Sequence, residues 1–273
     1  MTEKLKIGIV GCGAIGSSLA QAIVSEFKGQ AELCALYDID PAKSAALAKK
    51  IGKAGLAVKS LAELIRKSGL VVECASAAAS LQIARAALAA GRDMMIMSVG
   101  GVVGRFGQLT ALAKKHRAKV FIPSGAVAGI DALKAANVGR IRKATLTTFK
   151  NPASFRGVKY IQSRKIRLDE IKQERVLFAG PARLAVKYFP QNINVSAVLS
   201  LAGIGADRTK IKIIASPQVK RNIHEIKIES DAGDILTRVE NVLHPDNPKT
   251  SFLAVLSAIA TLKQILQPVR IGT

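Results

Sequence analysis

At 273 residues and 49% hydrophobic composition the chain is long enough to bury one large core or two modest ones. No apolar run of about 18 residues is free of charge or turn signals, which argues against a membrane span, and the polar residues 1–6 lead straight into a strand, so no secretory leader is expected. Forty-one Lys and Arg against 19 Asp and Glu give a net charge of +22; the basic residues are scattered, with no sustained basic helix and no aromatic interleaving, so a specific nucleic-acid binder is not expected.

Short apolar runs alternate with helical ones over the first half. Residues 4–10 read as a strand, the glycine-rich residues 11–16 as a turn, and the Ala/Ile-rich stretch to about residue 27 as a helix. Strands follow at 31–37, 70–75, 94–98 and 119–122, separated by helices at 41–50, 60–67, 80–90 and 107–115. That alternation predicts a doubly wound parallel sheet covered on both faces. Beyond residue 130 the pattern changes. A strand at 144–149 is followed by an irregular polar stretch at 164–173 and helices at 182–188 and 195–201. Period-two strands then come at 210–215, 223–230 and 235–241, the pattern of a mixed or antiparallel sheet. Thr250 and Ser251 are expected to open an apolar helix running to about residue 266. The expected organisation is an α/β chain: a Rossmann domain over 1–130, an α+β catalytic domain over 131–249, and a C-terminal helix over 250–273 returning to the first domain. With 4% aromatics and no Trp, the packing is expected to be aliphatic.

Gly11, Gly13 and Gly16 form a GxGxxG that follows a strand and opens a helix, and Asp38 ends a strand 22 residues past the third glycine. The first glycine permits the tight turn, the second lets backbone approach a pyrophosphate, and the third lets helix and strand pack closely. The helix start at Ala14 and Ile15 then offers free N–H groups and a positive dipole end to the phosphates. Asp38 would bond the adenosine ribose hydroxyls and repel a 2′-phosphate. NAD is therefore favoured, and nearby Lys43 leaves NADP open. Ligands of such sheets bind beyond the carboxyl ends of the strands, which nominates Cys74-Ala75-Ser76, Ser98-Val99-Gly100-Gly101 and Ser124-Gly125-Ala126 as the crevice rim.

Candidates for chemistry are few. His116 sits at the basic end of a helix and reads as a cap. His224 lies on a strand of the second half, and strands hold groups firmly enough for catalysis. His244 begins the polar run His244-Pro245-Asp246-Asn247-Pro248-Lys249-Thr250-Ser251, a loop suited to a carboxylate through Lys249, Thr250, Ser251 and N–H groups, or simply a helix cap. A nicotinamide enzyme needs a base working near pH 7, and histidine serves without much tuning. Cys12, Cys34 and Cys74 form no CxxC, which fits a reducing cytoplasm and argues against structural zinc; no metal is expected. HExxH, a Walker A lysine and GxSxG are absent.

Taken together, several segments resemble the L-aspartate dehydrogenase family. They include Gly8-Ile9-Val10-Gly11-Cys12-Gly13-Ala14-Ile15-Gly16, Val72-Glu73-Cys74-Ala75-Ser76, and Pro123-Ser124-Gly125-Ala126-Val127-Ala128-Gly129-Ile130-Asp131-Ala132. Phe189-Pro190-Gln191-Asn192-Ile193-Asn194-Val195, Asn222-Ile223-His224-Glu225 and the segment from His244 to Ser251 complete the set. The resemblance implies that His224 is the acid/base and that Ala128 and Asn194 contact the nicotinamide cofactor. It implies oxidation of L-aspartate to iminoaspartate with NAD or NADP, the imine hydrolysing to oxaloacetate and ammonia or passing to quinolinate synthase in NAD synthesis. A cytoplasmic homo-oligomer, a dimer by preference, is expected. Alternatives are a related reductase of the homoserine dehydrogenase or dihydrodipicolinate reductase type, or a dinucleotide-binding sensor without turnover.

Overall fold

The computed structural model describes residues 3–189, 194–245 and 247–272, with the side chains of 247–249 outside the description. The chain divides into two compact units: one runs to Pro123 and includes Val255–Arg270, and the other is Ser124–Ala254 with the last residues.

In the first unit the strands β1 (Leu5–Val10), β2 (Ala31–Tyr37), β3 (Leu70–Glu73), β4 (Asp93–Ile96) and β5 (Val120–Phe121) form a sheet of order β2-β1-β3-β4-β5. Every pairing is parallel. Ala57 adds an isolated parallel bridge to Leu36 on the outer edge of β2, which extends the sheet toward the strand order of dinucleotide-binding folds. The helices α1 (Ala14–Ser25), α2 (Pro41–Lys50), α3 (Leu61–Lys67), α4 (Ala77–Ala89) and α5 (Phe106–Lys115) connect the strands. Local chemistry sets their starts. Asp40 accepts from the Ala42 N–H at the head of α2, with Pro41 in the first turn, and Ser60 accepts from the Glu63 N–H at the head of α3. His116 stands at the C-cap of α5. The core is aliphatic: Ile7, Ile9, Leu19, Ile23, Leu36, Leu70 and Val72 are fully buried, and Ala258 and Leu262 join them.

In the second unit α6 (Ile130–Ala136) leads to β6 (Ile141–Lys150), α7 (Lys159–Ser163), β7 (Arg175–Pro181), α8 (Ala182–Tyr188), α9 (Asn194–Ala202), β8 (Lys210–Ala215), β9 (Asn222–Ser230) and β10 (Gly233–Asn241). The sheet has the order β10-β9-β6-β8-β7. Only β6 and β8 run parallel; the other pairings are antiparallel. Period two is clear on β9, where Ile226 and Ile228 are buried and Lys227 between them is exposed. Neither α6 nor β7 is among the elements expected from the sequence.

Two features depart from the sequence reading. On either side of Asp246, which lies outside the described residues, β11 (Leu243–His244) pairs antiparallel with β12 (Asn247–Ser251) where a loop was expected. The helix α10 (Phe252–Leu266) therefore starts just after Ser251 instead of at Thr250. The second core is also not purely aliphatic. Tyr160, Phe178, Tyr188 and Phe189 cluster with ring centroids 4.8–6.1 Å apart, and Phe155 meets Phe189 edge-on at 6.4 Å. The few aromatics are thus concentrated where the short α7 and α8 must be fixed to the sheet.

Phe155 has no exposed surface. Phe155→Ala is expected to lower the unfolding free energy by about 3–5 kcal/mol, read from urea denaturation, with NADH binding to the folded variant retained.

Candidate functional site

The glycine turn joins β1 to α1 at the carboxyl edge of the parallel sheet. Gly11 has φ +95°, and a Cβ there would lie 2.5 Å from the backbone of Cys74. A Cβ on Gly16 would lie 2.0 Å from the Gly11 carbonyl oxygen. These two glycines are thus demanded by the turn itself. Gly13 differs: it is exposed, and nothing stands within 4 Å of the position its Cβ would take. It is the N-cap of α1, has no side-chain cap, and the first turn of Ala14, Ile15 and Gly16 carries no acidic residue. The result is a bare, positively polarised helix start beneath open space, the cradle a pyrophosphate needs. Asp38 closes one side. Its Oδ2 accepts from the Cys12 N–H at 2.7 Å and its Oδ1 from the Asp40 N–H at 3.0 Å. Each oxygen keeps a lone pair for a ribose hydroxyl. These residues fit a dinucleotide.

The rim after β3 and β4 is tied by a residue to which sequence reasoning gave no role. Glu73 is fully buried at the end of β3. One carboxylate oxygen accepts from the Ala75 N–H at 2.8 Å, the other from the Ser98 N–H at 2.9 Å. Burial raises its carboxyl above the usual range, and the bonds from Ser98 and Ala75 oppose that rise. Glu73 therefore braces the loops carrying Ala75 and Ser98. Its signal in the sequence was a charge inside the apolar run 70–74. Gly101 has a structural cause: a Cβ there would lie 1.9 Å from the Ala77 carbonyl oxygen at the start of α4. The thiols are inert. Burial pushes Cys12 up to about 12, and burial also raises Cys34 and Cys74. Among the described residues no cluster of His, Cys, Asp or Glu could hold a metal ion, and no helix is long and apolar enough to cross a membrane.

The second unit holds a buried polar cluster around His224. Along β6 the inward residues are Ala144, Leu146, Thr148 and Lys150; along β9 they are His224, Ile226 and Ile228. The register sets Thr148 opposite His224. The apolar face of the sheet thus turns polar at one end, where Thr148, Lys150 and His224 are each no more than 8% exposed. The Thr148 hydroxyl and His224 Nδ1 are hydrogen-bonded at 2.9 Å. Burial, helped by the Lys150 charge, pushes the imidazole down to about 3. A histidine with little tuning was expected; this one is strongly tuned and is neutral across the physiological range. Burial also lowers Lys150, to about 8. Thr148 and Lys150 escaped the sequence reading. The signal for them was a Thr-x-Lys ending on the inward phase of a strand.

The other candidates also belong to the second unit. Ala128 is exposed on the loop before α6, and Thr237 donates to its carbonyl at 3.2 Å. Ser251 donates to Asn241 Oδ1 at 2.5 Å, and Asn241 Nδ2 donates to the Ala126 carbonyl at 3.1 Å. The loop around Ala128 is thereby pinned to β10 at two points. Asn194 is the exposed first residue of α9. His244 is buried, its ring edge-on to Phe252 at 5.6 Å, and Thr250 is half-buried on β12. The side chain of Lys249, and residues 190–193 and Asp246 of the quoted segments, lie outside the described residues.

Two outcomes follow from this geometry. Glu73→Gln would set an amide N–H against one of two backbone donors; stability should fall by about 1–3 kcal/mol and NADH affinity roughly tenfold, read by fluorescence titration. The imidazole of His224 takes its proton near 6.5 when unfolded and near 3 when folded. Its contribution is complete above pH 6.5 and is lost as pH falls toward 3. The urea midpoint of wild type should therefore drop more between pH 7 and pH 4 than that of His224→Asn.

Comparison with known proteins follows the same division. Residues 11–123 match the homoserine dehydrogenase NAD-binding domain, and residues 131–265 match the aspartate dehydrogenase C-terminal domain. The L-aspartate dehydrogenase of Methanosarcina mazei is 48% identical over 271 residues, covering 98% of this chain and all of that one. That of Methanococcus maripaludis strain C6 is 44% identical over 272 residues, with 98% and 100% covered. The crystal structure of aspartate dehydrogenase from Thermotoga maritima superposes with a TM-score of 0.76 at 26% identity, covering 99% of this chain and 100% of that one. Identity of this level across the full length, with a second unit that matches its own domain, shows that the chain belongs to the aspartate dehydrogenase family.

Proposed function

We propose that the chain oxidises L-aspartate to iminoaspartate with NAD as the favoured acceptor. The observation that carries this reading is His224, an imidazole kept neutral by burial and by the Lys150 charge and hydrogen-bonded to Thr148. Membership of the family and the glycine cradle support it.

Oxidation of an amine at carbon removes a hydride from Cα and a proton from nitrogen. Bound nicotinamide supplies the hydride acceptor. The residues of the chain hold the reactants and manage protons. Gly13 and the first turn of α1 take the pyrophosphate, and Asp38 takes the ribose hydroxyls; its carboxylate disfavours a 2′-phosphate, so NADP should serve less well. Ala75, Ala128 and Asn194 are the further proposed cofactor contacts. With Nδ1–H donating to the Thr148 hydroxyl, the Nε2 lone pair of His224 takes the substrate's ammonium proton once the anionic substrate beside it lifts the imidazole from its low value in the empty site. After that proton has passed to solvent, the neutral imidazole deprotonates the water that adds to the imine and returns the proton to the departing nitrogen as oxaloacetate and ammonia are released. Lys249 and Thr250, on the hairpin that His244 and Ser251 help to fix, are proposed contacts to a substrate carboxylate.

The reading extends to the surroundings of the reaction. Iminoaspartate hydrolyses readily, so its transfer to quinolinate synthase would place the activity in pyridine nucleotide synthesis. Three free thiols fit a reducing cytoplasm. Exposed Leu236, Val242 and Phe252 fit a homo-oligomer, a dimer by preference.

NADH absorbance with L-aspartate, D-aspartate, L-glutamate and L-homoserine, each with NAD and NADP, tests the reading. Turnover is expected with L-aspartate and faster with NAD. No turnover with L-aspartate under either cofactor would sink it, and turnover with homoserine alone would favour the homoserine type. His224→Ala should cost about a hundredfold or more in kcat; a loss within threefold would remove His224 from the role.

A further inference from the structure

The strand β6 makes an unusual choice at its end. Phe149 and Lys150 are adjacent and so face opposite sides of the sheet. A register shifted by one residue would bury the phenyl ring and give the ammonium to water. Instead Phe149 is half-buried and Lys150 is only 8% exposed. The pairing holds that register firmly: β6 is bonded on both sides, by β8 and β9. Lysine is among the residues least often found fully buried. This one is held on the core face by the central strand of a sheet.

Its neighbours give the position a use. Thr148 lies two residues back on the same face, and His224 stands opposite Thr148 across the ladder. On the other side Lys150 is paired with Ala215, a small side chain that is itself fully buried. The Lys150 charge reaches the imidazole and helps to hold it neutral. A compact cation is therefore fixed beside the group assigned to proton transfer, on a strand paired on both sides.

We propose that Lys150 is a substrate-binding residue whose ammonium receives one carboxylate of the amino-dicarboxylate substrate beside His224. This rests on the aspartate reading above and adds a recognition element to it. The substrate is a dianion at its carboxylates, and one hairpin side chain serves only one of them. An ammonium with three donors can keep a protein acceptor and still bond a carboxylate oxygen. The incoming anion also offsets the cost of the buried charge, so the cation is most stable with substrate in place.

The test uses the full chain loaded with NAD and succinate, a dicarboxylate without the amine, as the calorimetric probe. Lys150→Met keeps the volume and removes the charge; Lys150→Gln keeps hydrogen bonding without charge and serves if the first variant fails to fold. Succinate should bind wild type at least tenfold more tightly than either variant, the aspartate KM should rise by a similar factor, and NADH affinity should be unchanged. Lys150→Arg should recover part of the loss. Equal succinate affinities, or no binding to wild type, overturn the proposal. Aspartate turnover by wild type is measured in parallel. Turnover with equal affinities removes the role of Lys150 alone. Discrimination without turnover removes the oxidation reading and leaves the carboxylate site standing.

Discussion

An imidazole and an ammonium side by side in a protein interior are an unfavourable pair, and the second unit is arranged around them. Both groups lose water, and the Lys150 charge disfavours protonation of the imidazole. They stay in place because β6 is paired on both sides and because Ala144, Leu146, Ile226 and Ile228 continue the same face as ordinary core. The apolar part of the sheet anchors the register, and the register dictates that the last inward positions are Thr148, Lys150 and His224. The aromatic cluster around Tyr160 and Phe189 fixes the helices against that sheet. A slip of one residue would exchange the face carrying Thr148 and Lys150 for the solvent face.

The first unit solves the opposite problem. Its ligand is anionic and large, and the surface it presents is backbone with side chains removed. Gly11 and Gly16 are forced by contacts of 2.5 and 2.0 Å that a Cβ would make, whereas Gly13 leaves room. The side chains that remain are acceptors serving N–H groups: Asp38 holds Cys12 and Asp40, and Glu73 holds Ala75 and Ser98. One acid is half-buried after β2 and the other fully buried at the end of β3, with β1 between them, so the two carboxylates have different work. The buried one fixes loop geometry, which matters where misplacement by about 1 Å is costly.

The local reading of elements was closest where a single period ran without interruption. The strands 31–37 and 210–215 and the helices 41–50 and 182–188 have the bounds the pattern gives; Asp40 and Pro41 set the start of α2 locally, and Ile211, Ile213 and Ile214 favour the extended chain of β8. It was poorest where pairing decides. The strand Arg175–Pro181 carries Gly and Pro and becomes a strand only by lying against β8. The hairpin of β11 and β12 carries prolines at 245 and 248, which read as a loop until the two segments are seen to pair.

What the sequence by itself determined is the nucleotide half: GxGxxG after a strand and before a helix, with an acid at the next strand end, is a local arrangement whose geometry follows from glycine and the helix dipole. It also singled out His224 by segment resemblance. Only the tertiary structure decided that this histidine is neutral, that Thr148 orients it, that Lys150 is buried beside it, and that Glu73 braces the rim. The reason is physical. Desolvation and cross-strand contact belong to residues far apart in the chain, as Thr148 and His224 are, and no period along one segment encodes them.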